Sequence, residues 1–253
     1  MSRIGGNRKV ALVTGASSNL GQKICELLKC EYDLVAVSKT KNASNVQMEA
    51  GVFSEGASLL DIIYHDDGLS SVMYIQADLT TINCIQEIFR LIEARFGRLD
   101  VVVNLAADTR FYGEPYEAKW YRAAIIDQYL LNALTPMLII GEAHNRFWKH
   151  DREMNNKANR SVVNISSGSA VKVYPGGQAT YSMSKAALDM LSRHCCQFLK
   201  TNRVRINTAH PGAMNTDLLI NEVAERILGF IQSADEGKTI YFTSNGIRDA
   251  SFL

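Results

Sequence analysis

The sequence predicts a single doubly wound α/β domain spanning residues 1–253, a parallel sheet of seven strands with helices on both faces. Three observations predict it. Short runs rich in β-branched residues alternate with helically spaced apolar residues over the whole length, the order that buries a parallel sheet between two helical layers. The first apolar run, Val10 to Val13, leads through TGASSNLGQ into helical spacing at Ile24, Leu27 and Leu28. No internal repeat and no linker rich in Pro, Gly or Ser divides the chain.

Each element has its own signal. Lys9–Val13, Leu34–Ser38, Val72–Gln76, Leu99–Asn104, Ser161–Ser166, Arg203–Thr208 and Thr239–Thr243 are short apolar runs and read as buried strands. Between them, Gln22–Cys30, Ile82–Phe96, Trp120–Phe147, Tyr181–Lys200 and Glu222–Gln232 carry helical periodicity. Two segments fit a lean alternation less well. Thr40–Ser71 is long and mixed, and is expected to hold a helix with extra loop. HDREMNNKANR, His150–Arg160, is expected to be a polar surface loop.

Composition narrows the function. A hydrophobic share of 47%, 21% charged residues and a formal charge of +1 describe an ordinary globule. No basic excess points to nucleic acid, no like-charge run marks a tail, and no uninterrupted apolar run reaches the ~18 residues of a membrane span. The N-terminal MSRIGGNRKV lacks the apolar stretch of a signal peptide. Cys25, Cys30, Cys84, Cys195 and Cys196 show neither zinc nor redox spacing, and their odd number argues against a disulfide framework. Reduced thiols and a cytoplasmic location are expected. The histidines show no metal-ligand spacing, so no metal is expected.

The turn Thr14–Gly21 has the position of a phosphate-binding loop. In a doubly wound sheet, ligands lie across the carboxyl ends of the strands, and the first helix N-terminus faces the pyrophosphate. Gly15 and Gly21 bracket the turn, with Ser17, Ser18, Asn19 and Leu20 between them. Asn19 stands where such turns usually carry glycine. Asparagine tolerates positive φ, so it holds the turn if conformation is the requirement and obstructs it if room is. After the second strand the run Ser38-Lys39-Thr40-Lys41 contains no acid to bind a ribose 2′-hydroxyl. A hydroxyl and two cations suit a 2′-phosphate, hence NADP(H) over NAD(H); the alternative is a solvated lysine pair.

YSMSKAAL carries the strongest chemical signal. Tyr181 and Lys185 are four residues apart and share a helix face. A phenol with an ordinary pKa of ~10 becomes a useful acid or base when an ammonium stabilises its phenolate. Ser167 lies fourteen residues upstream, at the end of the SVVNISS strand, where its hydroxyl can bind the same carbonyl oxygen. Asn132, in LLNALTP, is a polar residue in an apolar run, either a satisfied helix-bending amide or the holder of a relay water.

From Lys9 to about Gly246 these motifs, in this order, resemble the short-chain dehydrogenase/reductase family in its compact single-domain form: TGASSNLG, Asp78 in ADLT, NLAA at Asn104–Ala107, Asn132, Ser167, Tyr181 with Lys185, and HPGAMNT at His210–Thr216. The resemblance implies a Rossmann-type fold and reduction of a ketone or aldehyde by hydride transfer, or the reverse. It implies that Tyr181 exchanges the proton, Ser167 orients the substrate oxygen, Lys185 lowers the tyrosine pKa and holds the nicotinamide ribose, and Asn132 anchors a water. Thr14 and the glycine turn would hold the pyrophosphate, Asp78 and Leu79 border the adenine, and Asn104 and Ala106 line the cofactor's path. Pro211, Gly212, Met214 and Thr216 would hold the nicotinamide amide and nearby phosphate. A homodimer or homotetramer through the long helices is implied as well.

Three departures qualify the resemblance. Asn19 and Ala107 replace glycines. The family's usual serine-to-tyrosine spacing falls on Gly168, and a loop one residue longer at VKVYP keeps Ser167 in place of Ser166. After Thr216, DLLIN leads straight into EVAERILGFIQ, so the usual helical lid is almost absent. An open cleft suits a bulky substrate or one tethered to a carrier; cover from the Thr40–Ser71 segment or a neighbouring subunit is the alternative. Two other functions compete: a non-catalytic nucleotide-binding or structural subunit, and an epimerase or dehydratase using a transient keto intermediate.

Overall fold

The structure is a computed structural model that describes residues 8–40, 60–66, 70–212, 216–243 and 246–251. Its nine strands form one sheet in the order β3-β4-β2-β1-β5-β6-β7-β8-β9. They are β1 Lys9–Thr14, β2 Tyr32–Ser38, β3 Asp61–Asp66, β4 Ser71–Gln76, β5 Val101–Asn104, β6 Ser161–Ile165, β7 Arg205–His210, β8 Lys238–Thr243 and β9 Gly246–Ser251. The seven expected strands are the parallel ones, from β4 to β8. Antiparallel β3 and β9 extend the two edges and raise the count beyond seven.

β3 corrects part of the expectation for Thr40–Ser71. DIIYHD forms a strand, with Ile62 and Tyr64 packed towards the core at period two and exposed acids at both ends. Charged ends blunt an edge strand against further pairing. The expected helix would fall largely on residues 41–59, outside those described.

Alternation along the central strands divides the core. Val10, Leu12, Val35 and Val37 face Phe89, Ile92, Ile139, Ile140 and Trp148 on one side. Ala11, Val13, Leu34 and Ala36 face Ile24, Leu28, Val223 and Ile227 on the other. The helices are α1 Asn19–Leu28, α2 Ile82–Arg95, α3 Arg122–Tyr129, α4 Thr135–Ala143, α5 Arg152–Ala158, α6 Ala179–Lys200 and α7 Asp217–Gln232. Small Ala11 and Ala36 let α1 approach the sheet closely, which sets the geometry of the turn before it.

The expected long helix is instead a helical succession from Pro115 to Trp148: a 3₁₀ stretch, α3, a π turn at Leu130–Leu134, α4 and a second π turn. By length and composition this stretch could cross a membrane, which a search for unbroken apolar runs passes over. In the fold Ile139, Ile140, Ala143 and Trp148 belong to the core.

His150–Arg160 is also corrected. It contains α5, capped by Asp151 accepting from the Met154 N–H at 2.8 Å and ended by left-handed Asn159. Asn155 is fully buried and donates to the carbonyls of Trp148 and Asn202. Arg160 reaches Asp100 Oδ1 at 3.2 Å, and Arg98 binds the same carboxylate at 2.7 Å. Asp151, Arg152, Glu153, Asn156 and Lys157 face solvent as expected, while the polarity of Asn155 and Arg160 serves buried hydrogen bonds.

Candidate active site

The carboxyl ends of β1, β2 and β5 converge on the turn. Thr14 Oγ1 accepts from the N–H groups of Leu105 and Ala106, both at 3.1 Å, and so ties β1 to the loop after β5. Gly15 has φ of +70°, and a Cβ there would lie 2.9 Å from Ala106 N. Ser18 caps α1, accepting from Gly21 N–H at 3.1 Å and donating to the Gly15 carbonyl at 2.8 Å. A Cβ on Gly21 would overlap that carbonyl and sit 2.8 Å from Ala16 Cα. Both glycines answer to close backbone approach.

Asn19 answers to something else. It is the first residue of α1 and exposed, and the only non-glycine residues with positive φ among those described are Asn159 and Arg203. Conformation is therefore not what this position demands. Its side chain stands on the wall of a cleft of ≈ 740 Å³, lined by Gly15, Ser17, Ser18, Asn19 and Leu20 on one side and Ala106 and Ala107 on another.

At the far end the cleft meets Ser38, Lys39, Thr40, Asp78 and Leu79. Ser38 Oγ donates to the Thr40 carbonyl at 2.7 Å, and Ser17 and Thr40 share a hydroxyl bond at 3.2 Å. Lys39 Nζ lies 2.7 Å from Asp78 Oδ2 in a solvent-exposed pair. Burial pushes the Asp78 carboxyl up, but hydrogen bonds from Lys39 and Thr80 outweigh it and hold the group below its ordinary value. Leu79 is buried and its carbonyl accepts from Thr135 Oγ1 at 2.7 Å. Asn104 departs from its expected place: it is buried and donates to Asn164 Oδ1 at 2.8 Å, beneath the cleft rather than on its wall.

β6 and α6 assemble the second half of the site. Ser167 follows β6, and its hydroxyl lies near enough to the Tyr181 phenol to favour the phenolate, while accepting from Ser169 N–H at 3.1 Å. Ser166 instead turns inward and donates to the Lys185 carbonyl at 3.3 Å. The longer loop thus leaves Ser167 opposite the tyrosine. Burial pushes the Tyr181 phenol up, with the Ser167 hydroxyl working the other way. Lys185, 2% exposed, donates from Nζ to the Ile165 carbonyl at 2.9 Å, 6.0 Å from the centre of the Tyr181 ring. Burial lowers its pKa to about 8, opposed by the Asp189 carboxylate.

Asn132 sits in the first π turn, where its side chain is occupied. Oδ1 accepts from Asp108 N–H at 2.8 Å, while Nδ2 donates to the Asp108 carbonyl at 2.9 Å and to Ser184 Oγ at 3.0 Å. Both amide hydrogens are engaged, the satisfied-amide alternative, with one acceptor lone pair left. Pro211 and Gly212 follow β7, and Thr216 caps α7 by accepting from Leu219 N–H at 3.3 Å. Met214 lies outside the described residues. α7 starts at Asp217, directly after its cap.

Sequence reasoning missed the arch between β5 and α3. Asp108 accepts from Arg110 N, Nε and Nη2 and, at 2.6 Å, from the Tyr112 hydroxyl. Burial raises the Asp108 carboxyl, yet the bonds from Arg110 and Tyr112 prevail and hold it down at about 2. Gln128, fully buried one turn before Asn132, donates to the carbonyls of Asp108 and Arg110. The arch sets Phe111 against Tyr181, ring centres 5.9 Å apart. The signal was an amide pair, Gln128 and Asn132, at i and i+4.

Comparison with known proteins agrees with this architecture. The family model described as "short chain dehydrogenase" matches residues 9–226. A 3-oxoacyl-[acyl-carrier-protein] reductase of Synechocystis sp. is 28% identical over 233 residues, 91% of this chain and 84% of that protein. An acetoacetyl-CoA reductase of Acinetobacter sp. is 28% identical over 218 residues, 84% of this chain and 77% of that one. An oxidoreductase of the same family from Brucella ovis, solved with a partially ordered NAD, superposes with a TM-score of 0.70 at 23% identity, covering 94% of this chain and 100% of that one. With the glycine turn, the two-sided parallel sheet and Ser167, Tyr181 and Lys185 gathered at one end of it, the chain belongs to the short-chain dehydrogenase family of oxidoreductases.

Proposed function

We propose that this short-chain dehydrogenase reduces a ketone or aldehyde to its alcohol, or runs the reverse, with NADP(H) preferred over NAD(H). The observation that carries the reading is Tyr181 beside Ser167, with buried Lys185 holding its Nζ 6.0 Å from the tyrosine ring centre. The bound nicotinamide supplies or takes up the hydride. Tyr181 gives its hydroxyl proton to the substrate oxygen, and Ser167 holds that oxygen in line. Lys185 stabilises the phenolate left behind. With the phenol pushed up by burial, Tyr181 rests in the protonated form that a reduction needs. Asn132 ties the arch to α6 through Asp108 and Ser184, and its one remaining acceptor lone pair is what it has left for a water.

The cradle suits a dinucleotide, since Gly15 and Gly21 let the turn pack tightly on the backbone of Ala106 and Ala16 while Ser18, Asn19 and Leu20 bring the N-terminus of α1 to the cleft. Preference for the 2′-phosphate rests on Ser38, Lys39 and Thr40 and on the absence of an acid among them. The Lys39–Asp78 pair is exposed and worth ~0–1 kcal/mol, so Lys39 is readily redirected to a phosphate. Two of the named relatives are reductases of 3-oxoacyl-[acyl-carrier-protein] and of acetoacetyl-CoA, and exposed Phe111, Val173 and Leu218 with the direct start of α7 suit a bulky or carrier-tethered acyl chain. Exposed Ile126, Met137, Met183 and Phe198 on the long helices suit a homodimer or homotetramer, and five free thiols suit the cytoplasm.

Nucleotide titration followed by nicotinamide fluorescence, with turnover of acetoacetyl-CoA, tests the reading. NADPH should bind at micromolar concentration and NADH more weakly, and Tyr181→Phe should bind NADPH while losing at least a thousandfold in turnover. Asn19 favours a second reading, a nucleotide-binding subunit without catalysis. Binding without turnover of any carbonyl compound would select it.

A further inference from the structure

Lys185 is a buried amine with one described protein acceptor, the Ile165 carbonyl, and burial opposes its charge. What keeps it charged lies on the far side from Tyr181. Asp189 follows one helical turn later on α6, so the two side chains leave the same face. Its Oδ2 lies 3.1 Å from His210 Nε2, and Oδ1 is buried without a hydrogen-bond partner. His210 is 1% exposed and ends β7, whose Ala209 pairs with Ile165, the residue that receives the lysine. The imidazole also packs on Tyr241, ring centres 4.5 Å apart.

His210 Nδ1 is buried with no partner, so the imidazole's one described polar contact is that of Nε2 with Asp189 Oδ2, which fixes the carboxylate beside α6. The titratable groups coupled to this carboxylate are Lys185 on the same helix and Tyr241 on β8, with Arg193 acting on that phenol in turn.

We infer that Asp189, oriented by His210, is the counter-charge that keeps Lys185 an ammonium inside the fold, making Asp189 and His210 positioning residues of the active site. The inference rests on the catalytic reading of Lys185 for its consequence but not for its test. His210 holds Oδ2 in place, and because Lys185 is buried and Asp189 largely so, the field between them is screened less than it would be in water.

The test is a pH titration of the Lys185 Nζ resonance by NMR in protein labelled with ¹⁵N-lysine, assigned by comparison with Lys185→Met. Asp189→Asn should lower the midpoint by about one pH unit or more, and Asp189→Glu should restore most of it. His210→Gln, which keeps a donor, should lower it by less than Asp189→Asn does. An unchanged midpoint in folded Asp189→Asn overturns the inference. If that variant does not fold, Asp189→Ser takes its place, and an unchanged midpoint there overturns the inference equally. In turnover, the pH at which alcohol oxidation rises should move upward with Asp189→Asn, while KM for the nucleotide stays within about twofold. A wild-type protein that shows no turnover refutes the catalytic reading and leaves the NMR result to judge the counter-charge alone.

Discussion

Gly21→Ala is the sharpest probe of the nucleotide turn. The added methyl would meet the Gly15 carbonyl and lie 2.8 Å from Ala16 Cα, both backbone atoms with nowhere to rotate. Ordinary carbon–carbon contact is ~3.5–4.0 Å, so the N-terminus of α1 must retreat from β1 by about 1 Å. Overpacking of this kind costs about 1–3 kcal/mol. For a chain of this size that is a fall in Tm of roughly 2–12 °C. The same retreat carries the backbone N–H groups of the first turn out of the ~2.7–3.2 Å hydrogen-bonding range of a phosphate, so affinity for NADPH should fall at least tenfold, about 1.4 kcal/mol. Thermal unfolding and fluorescence titration read the two effects separately. Gly229→Ala is the control: it lies inside α7 with open space around the new methyl, and should raise stability by about 0.5–1 kcal/mol without touching binding. A Gly21→Ala protein with the wild-type Tm and NADPH affinity would refute the claim that close backbone approach, rather than sequence habit, fixes this glycine.

Three further outcomes follow from the same structure. Carbonyl reduction should lose kcat/KM as the pH rises through about 8, where Lys185 gives up its proton and its hold on the phenolate weakens; a pH–rate profile with saturating nucleotide checks this. Asp100→Asn should destabilise by about 3–5 kcal/mol in denaturant unfolding, because it leaves buried Arg160 and half-buried Arg98 without their carboxylate. Gln128→Leu should cost about 1–3 kcal/mol through the orphaned carbonyls of Asp108 and Arg110, and it should raise KM for the carbonyl substrate more than it raises that for NADPH, since the arch carries Phe111 to Tyr181.

What the sequence disclosed follows a physical line. The parallel strands were legible because both of their faces are buried, so runs such as Val10–Val13 and Val101–Val103 are continuously apolar. Tyr181 and Lys185 were legible because helical spacing alone puts them on one face. β3 was not, since an edge strand with one covered face and acidic ends is weakly patterned. α5 hid because Asn155 and Arg160 are polar residues whose partners lie elsewhere in the chain, on Trp148, Asn202 and Asp100. The Gln128–Asn132 pair was half seen: Asn132 stood out as polar in an apolar run, but the partners of both amides lie on the arch at Asp108 and Arg110. Composition reports polarity, and only the fold reports what the polarity faces.

Asn19 joins these arguments to function. A residue at the first position of α1, helical and exposed, has no conformational reason to be asparagine or glycine. Its side chain therefore acts on whatever the cleft receives, either by crowding a phosphate or by donating an amide N–H to it. Crowding is the expected effect, because the turn already offers its backbone N–H groups and its neighbours Gly15 and Gly21 mark where the backbone stays bare. Asn19→Gly should then tighten NADPH about three- to tenfold, roughly 0.7–1.4 kcal/mol, while lowering stability by no more than ~0.5–1 kcal/mol. Isothermal titration beside thermal unfolding separates the two. Weaker binding in Asn19→Gly would mean that the amide is a ligand in its own right, and that this position was changed to hold the nucleotide rather than to loosen it.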